Sequence, residues 1–408
     1  MYGLLNGLRV VEAASFIAAP SCALHLAQMG AEVIRIDQIG GGPDFRRWPL
    51  SPDGGASLYW EGLNKGKRSV ALDLSRPEGR ELAVRIITAP GRDAGLFVTN
   101  FPVNGFLAYD RLLPHRADLV CVRVMGWPDG RQAVDYTVNA AVGLPLMTGP
   151  VDHPGPVNHV LPAWDLVAGA YGAFCLISAE RARRETGRGQ EIRLPLSDVA
   201  LASLGHLGQI AEVQLLGMDR PRMGNELFGA FGRDFATADG KRLMVVAITP
   251  RQWSGLVASL EIGPEVAALE AELGVSFAAD EGVRFRHRAR LNPLFEAAFA
   301  RKDAADLAPA FEAQGVCWGP YQSLHEALRD NPHMSARNPV LADVEHPGGR
   351  RYPTPGTAAT LPAQTRGRPA PAPVLGRDTE QVLADLLGLS GGEIGRLHDA
   401  GLAACARP

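Results

Sequence analysis

Short apolar runs punctuate the first third of the chain: LRVVEA (8–13), AEVIRID (31–37), SVALDL (69–74), AGLFVTN (94–100) and DLVCVRV (118–124). Near-continuous Val, Ile and Leu, without strict alternation, predicts strands buried on both faces. Helical stretches lie between them. One spans Ala18–Met29. Another opens Ser75-Arg76-Pro77-Glu78, with Ser75 as the expected cap and an acid in the first turn. This alternation predicts a Rossmann-like α/β layer with a mostly parallel sheet. Ligands of such sheets lie beyond the carboxyl ends of the strands. Those ends carry Ala13-Ala14-Ser15, Asp37, Asp73 and Asn100.

After Pro162 the apolar residues Trp164, Val167, Ala168, Tyr171 and Phe174 repeat at helical spacing, and Gly187 and Gly189 end that helix. QEIRLPL is one more strand, and Asp198–Leu216 reads as a mostly apolar helix. From Arg220 the pattern changes. GNELFGAFGRDFATADGKRLMVVAIT predicts antiparallel strands around an Asp239-Gly240 turn. Several short helices follow to about Arg329. Asn338–Pro373, rich in Pro, Gly and Arg, has no period and reads as a connector. Asp378–Ala400 holds two short amphipathic helices. The expected organisation is a large α/β domain over 1–215 and a smaller α+β domain over 216–335. A connector with C-terminal helices, 336–408, then returns to the large domain.

Composition narrows the function. The 408 residues carry 41 Lys plus Arg against 44 acids, which leaves no basic footprint for nucleic acid. No stretch of eighteen apolar residues suggests a membrane span, and the N-terminus lacks the basic leader of a signal peptide. The 5 cysteines are odd in number and widely spaced, as expected of free thiols in a reducing cytoplasm. The chain has no GxxxxGK[ST], no GxGxxG after the first strand, no GxSxG and no HExxH. Its 10 histidines are scattered, so no metal is expected.

Three stretches, in order, carry a resemblance: GLRVVEAASFIAAPSCALHLAQMGAEVIRID, NKGKRSVALDLSRPEG, and the region from DYTVNAAVG through VNHVLPAWDLVAGAYGAFCLISAE to RGQEIRLPLSD. Together they resemble the class III CoA-transferase family, which also contains 2-methylacyl-CoA racemases. The likeness is strong from Gly7 to about Asp198 and weaker beyond. IGGGPDFRRWP, LNKGKRS, GLPLMTGPV, VNHVLPAWD and RPRMGNELFGAFGRDF resemble one branch in particular. In that branch CoA moves between the two carboxyl groups of one dicarboxylate.

The resemblance implies an aspartate that attacks the thioester carbonyl, and it places this nucleophile at Asp165. Local chemistry agrees, since a first-turn acid faces the partial positive charge of a helix N-terminus. The resemblance also implies an acyl-CoA substrate, no cofactor beyond the CoA it carries, and an interlocked homodimer. CoA phosphates call for Arg and Lys. The candidates are Arg35, Arg46, Arg47, Lys65, Lys67 and Arg68, with adenine and phosphate contacts around Ile36–Asp37 and Asn64–Arg68. Ser15, Phe16, Ile17 and Ala18 correspond to the family's stretch beside the thioester, where backbone N–H groups can bind an oxyanion. Ala19 stands where many members carry Gly. Asn100 matches the family's Asn-Phe pair. Asp135 and Asn139 border the acyl site in relatives, and His159 and Arg233 are candidates for the dicarboxylate's charged end.

Three alternatives remain open on sequence. A racemase needs a pair of groups to move the α-proton, and Val134 stands where its His is expected. An intermolecular CoA-transferase needs a second acid as acceptor. A non-catalytic CoA-binding module needs no reactive aspartate.

Overall fold

The computed structural model describes residues 1–54 and 57–405. They form two units: one of Met1–Val142, His159–Leu215 and Pro332 onward, the other of Gly143–Asn158 and Leu216–Asn331.

The first unit is built on a seven-stranded sheet. Its parallel strands are β1 (Arg9–Ala13), β2 (Glu32–Gln38), β3 (Arg68–Leu72), β4 (Leu96–Thr99), β5 (Val120–Met125) and β6 (Gln190–Pro195). They lie in the order β3-β2-β1-β4-β5-β6, and a short strand, Ala403–Ala404, runs antiparallel beside β3. Val10 pairs with Val33 on one side and Leu96 on the other. The chain order therefore reverses between β1 and β4. Such a reversal opens a crevice at the strand ends, because the connections leaving the two neighbours diverge to opposite faces. Ser15 and Asn100 follow these two strands directly.

Val11, Ile34, Val70, Phe97 and Cys121, one from each of five adjacent strands, belong to the same buried core. The long helix Ala163–Thr186 packs against the first helix, Ala18–Gln28. Glycine permits that approach: a Cβ at Gly169 would lie 1.9 Å from Ser21 Oγ and 3.0 Å from the Ala18 carbonyl oxygen. Gly187, left-handed at φ 70°, ends the long helix as its spacing predicts.

In the second unit β7 (Phe231–Ala236), β8 (Arg242–Ala247) and β9 (Cys317–Pro320) form an antiparallel sheet. Gly240, at φ 75°, turns the chain between β7 and β8. Phe231, Phe235, Trp253, Phe295 and Phe299 are buried behind it.

Several elements differ from the sequence expectation. Asp198–Leu216 is two helices, Leu196–His206 and Gln209–Leu216, bent by 68°, because Gly208 takes φ 75° between them. β9 lies where only helices were expected. The connector holds a hairpin, Leu341–Glu345 with Arg351–Pro355. Its period is hidden by Pro353 and Pro355, which a two-stranded ribbon tolerates because both strands are edges. Ser75 does not cap the next helix. That helix starts at Pro77 after Arg76, and the Ser75 hydroxyl donates to Asp73 instead. No single helix among the described residues is long and apolar enough to cross a membrane.

Candidate active site

A cleft of about 680 Å³ opens at the carboxyl end of the sheet. Asp165 lies in its wall together with Ser15, Phe16, Ile17, Ala18 and Asn100. The reversal point of the sheet thus brings six of the sequence candidates to one cavity. Three further segments, Phe101–Asn104 after β4, Arg123–Gly126 at the end of β5 and Asp129–Val134, complete the wall together with Thr137 and Leu196.

Asp165 sits in the first turn of Ala163–Thr186. The N-cap residue, Pro162, offers no side-chain cap. The cap comes from Asp135, whose Oδ2 accepts the N–H groups of Trp164 (2.7 Å) and Asp165 (3.2 Å). Its Oδ1 lies 2.5 Å from His159 Nε2. Trp164 Nε1 donates to Asn139 Oδ1 at 3.2 Å. Asp135, Asn139 and His159 therefore meet as one assembly that fixes the start of the helix. The first-turn N–H groups were expected to favour the Asp165 carboxylate. Instead, two of them are spent on Asp135, which places a like charge nearby. Burial, and then Asp135, push the Asp165 carboxyl up to about 7, with Arg47 acting in the opposite direction. A carboxyl poised near neutrality and walled by an apolar cleft is a mark of a reactive group.

The turn after β1 is pinned on both sides. The Ser15 N–H donates to Asn100 Oδ1 (3.2 Å), and Asn100 Nδ2 donates to the Ser15 carbonyl (2.9 Å). Phe16 takes φ 70°, a left-handed conformation that costs a non-glycine residue about 1–2 kcal/mol. Its N–H donates to Asp44 Oδ2 at 3.0 Å. The N–H groups of Ser15 and Phe16 are thus already engaged, which corrects their expected part as oxyanion donors. Helix Ala18–Gln28 begins without a side-chain cap, which leaves its first amides as available donors at this wall.

The basic candidates separate sharply. Arg35 is 1% exposed. It donates to Glu12 (2.6 Å), Asp37 (2.7 Å), Asn64 (3.2 Å) and Asp44 (3.3 Å). Lys67, also buried, pairs with Glu12 at 2.6 Å and donates to Asn64 Oδ1 and the Pro20 carbonyl at 2.9 Å. Burial pushes its ammonium down to about 8. Ile36, Asn64 and Lys65 are buried as well, and burial lowers Lys65 to about 8. Arg68 is held by Glu32 at 2.6 Å. Arg35, Lys67 and Asn64 thus form a buried ion network in place of a phosphate-binding surface, because three carboxylates claim the charges. Arg46 and Arg47 are exposed. The Arg47 guanidinium stands over the rings of Phe16 (5.7 Å) and Tyr59 (5.3 Å). Arg233, in the second unit, pairs with Glu296 at 3.0 Å.

Sequence reasoning missed Asp44, Tyr59 and Arg123. Tyr59 is perturbed by burial and feels both Arg47 and Asp165, yet its segment carries no helical or strand signal. Arg123 donates to Glu191 (2.8 Å), to the Phe101 carbonyl (2.7 Å) and to the Leu107 carbonyl (2.7 Å), tying down the loop after β4. A lone arginine inside an apolar strand was the available signal.

The sequence model described as CoA-transferase family III matches residues 5–379. The chain belongs to that family. It is 51% identical to the 2-methylfumaryl-CoA isomerase of Chloroflexus aurantiacus, over 99% of this chain and 98% of the relative. It is 28% identical to the succinyl-CoA–D-citramalate CoA-transferase of the same organism, covering 97% of this chain and 96% of that one. Among solved structures, a CaiB/BaiF family protein from Brucella suis superposes with a TM-score of 0.76 at 26% identity, over 95% of this chain and 100% of that one. The family's fold is therefore present over nearly all of the chain.

Proposed function

We propose that this family III enzyme is an intramolecular CoA-transferase that converts 2-methylfumaryl-CoA into 3-methylfumaryl-CoA. The observation that carries the reading is near-full-length similarity, at 51% identity, to a protein of that activity. Asp165 in the wall of the cleft supplies the chemistry.

As a carboxylate, Asp165 attacks the C1 thioester carbonyl. A tetrahedral adduct forms and collapses to a mixed anhydride, and the CoA thiolate leaves. The thiolate attacks the aspartyl carbonyl, which gives an aspartyl-CoA thioester and frees the C1 carboxylate of the dicarboxylate. Its C4 carboxylate then attacks the aspartyl thioester, forming the second anhydride and releasing thiolate again. Attack of the thiolate on C4 yields the product and regenerates Asp165. Each step exchanges one acyl bond for another, so no oxidant, metal or net proton is required. Anhydrides hydrolyse, so the cleft must exclude water while holding the free acid. The substrate is the acyl-CoA alone. A homodimer, as the resemblance implies, is part of the same reading.

Purified protein incubated with 2-methylfumaryl-CoA and nothing else should produce 3-methylfumaryl-CoA, resolved by liquid chromatography. Hydroxylamine treatment during turnover should leave a hydroxamate on Asp165, located by mass spectrometry. Isomerisation that requires an added acid, or rapid exchange of labelled 2-methylfumarate into product, would favour intermolecular transfer instead.

A further inference from the structure

The segment Ile39–Phe45, IGGGPDF, has no part in the chemistry above, yet it folds directly against the turn after β1. Two of its glycines are closely packed. A Cβ at Gly41 would lie 2.3 Å from the Phe45 ring, and one at Gly42 would lie 3.3 Å from Asp44 Oδ1 and 3.5 Å from Ser15 Oγ. Asp44, carried by this loop, is 1% exposed. Its Oδ2 accepts both the Phe16 N–H and Arg35 Nη2. Arg35 is anchored in turn by Glu12 and Asp37. The left-handed Phe16 is therefore held by a carboxylate that a buried ion network holds in place.

What the turn aims is the start of helix Ala18–Gln28. Ser21 is the first residue whose N–H reaches back, to the Ile17 carbonyl at 2.7 Å. Pro20 has no N–H. The amides of Ala18 and Ala19 therefore precede the first intrahelical bond, and Ala18 shares the cleft wall with Asp165.

We propose that Asp44 is a positioning residue for acyl transfer: it locks Phe16 in the left-handed conformation and so aims the first amides of helix Ala18–Gln28 at the oxyanion formed during attack at Asp165. The inference rests on the acyl-transfer reading given above. Asp44 touches no reacting atom and acts through Phe16. Glycine adopts φ near 70° without steric cost, so the need for Asp44 falls when residue 16 is Gly.

A double-mutant cycle on the full chain tests this, with Asp44→Ala, Phe16→Gly and the pair. Asp44→Ala is expected to lower kcat by ~10–100-fold, less than the roughly 10²–10³-fold cost of removing an oxyanion donor outright, with KM changed less than about threefold. Hydrogen exchange across residues 15–19 should accelerate in the same variant. In the Phe16→Gly background the loss from Asp44→Ala should shrink to less than about threefold. Wild-type kcat in Asp44→Ala, or an equal loss in both backgrounds, would overturn the proposal. Asp44→Asn keeps the shape and weakens only the charge, and it takes over the cycle if the alanine variant does not fold. If the wild-type protein leaves 2-methylfumaryl-CoA unchanged, the functional reading fails by itself. Exchange at residues 15–19 then still decides whether Asp44 holds the turn.

Discussion

Two carboxylate clusters of the first unit show how burial can serve opposite ends. Glu12, Asp37 and Asp44 surround Arg35, with Lys67 on Glu12. Asp135 and Asp165 share one helix start, where Asp135 accepts the Asp165 backbone N–H. In the first cluster opposite charges compensate desolvation for Arg35, whose charge is held more firmly than in water by Asp37, Glu12 and Asp44 despite its burial, although burial still raises the Asp37 carboxyl and lowers the Lys67 ammonium. In the second, burial and a like charge act together, and Asp165 is driven toward protonation. Compensated charge builds a rigid floor, whereas uncompensated charge leaves a carboxyl poised near neutrality.

The sharpest way to break this comparison is at the reacting group. Asp165→Ala should lower kcat by at least ~10⁴-fold, since no second nucleophile takes over a covalent route; a stopped-flow or chromatographic assay showing appreciable turnover would end the assignment. Next, Arg35→Met should cost about 3–5 kcal/mol of stability, because three buried carboxylates lose their common cation. Urea unfolding measures this, and a loss under about 1 kcal/mol would mean the network is not a floor at all. Asp135→Asn sharpens the comparison from the other side. It keeps the cap but removes the like charge, so the acid limb of kcat/KM, set by Asp165 near 7, should move to lower pH by about one unit. An unmoved limb would show that burial alone raises Asp165.

The smallest effect is on stability. Folded Asp165 keeps its proton up to about 7, while the unfolded chain releases it near 3.9. Its stabilising contribution is complete below the unfolded value and disappears as pH rises through about 7. Asp165→Asn has no such loss. At pH 8 it should unfold later than wild type by about 1–2 kcal/mol, after discounting for partial solvent contact, with the difference vanishing near pH 4. Paired thermal melts at the two pH values provide the check.

The strand runs were legible because both-faces burial leaves an unmistakable apolar record, and the helix after Pro162 was legible from its apolar spacing, whereas Asp165 was singled out in it by the family resemblance. The environment of Asp165 was not. Asp135 lies 30 residues away, and only the folded chain turns its carboxylate onto the helix start. Arg35 and Arg47 likewise look alike as letters. What separates them is register: Arg35 is paired across the sheet with Glu12, inside a run of buried apolar neighbours. A reader who trusted that run over the charge would have placed Arg35 inside. The hairpin at Leu341–Glu345 stayed hidden because prolines erase the alternation that marks a strand.

The short strand Ala403–Ala404 carries a consequence for how the molecule is made. It covers the open side of β3, and Thr379, which receives the Ala71 N–H, is 308 residues away in sequence. During synthesis β3 therefore leaves the ribosome long before its cover exists, and for that interval its edge is a template for stray pairing. Vectorial folding of this chain finishes at the flank of the sheet that was translated early, so a premature stop exposes the oldest part of the fold.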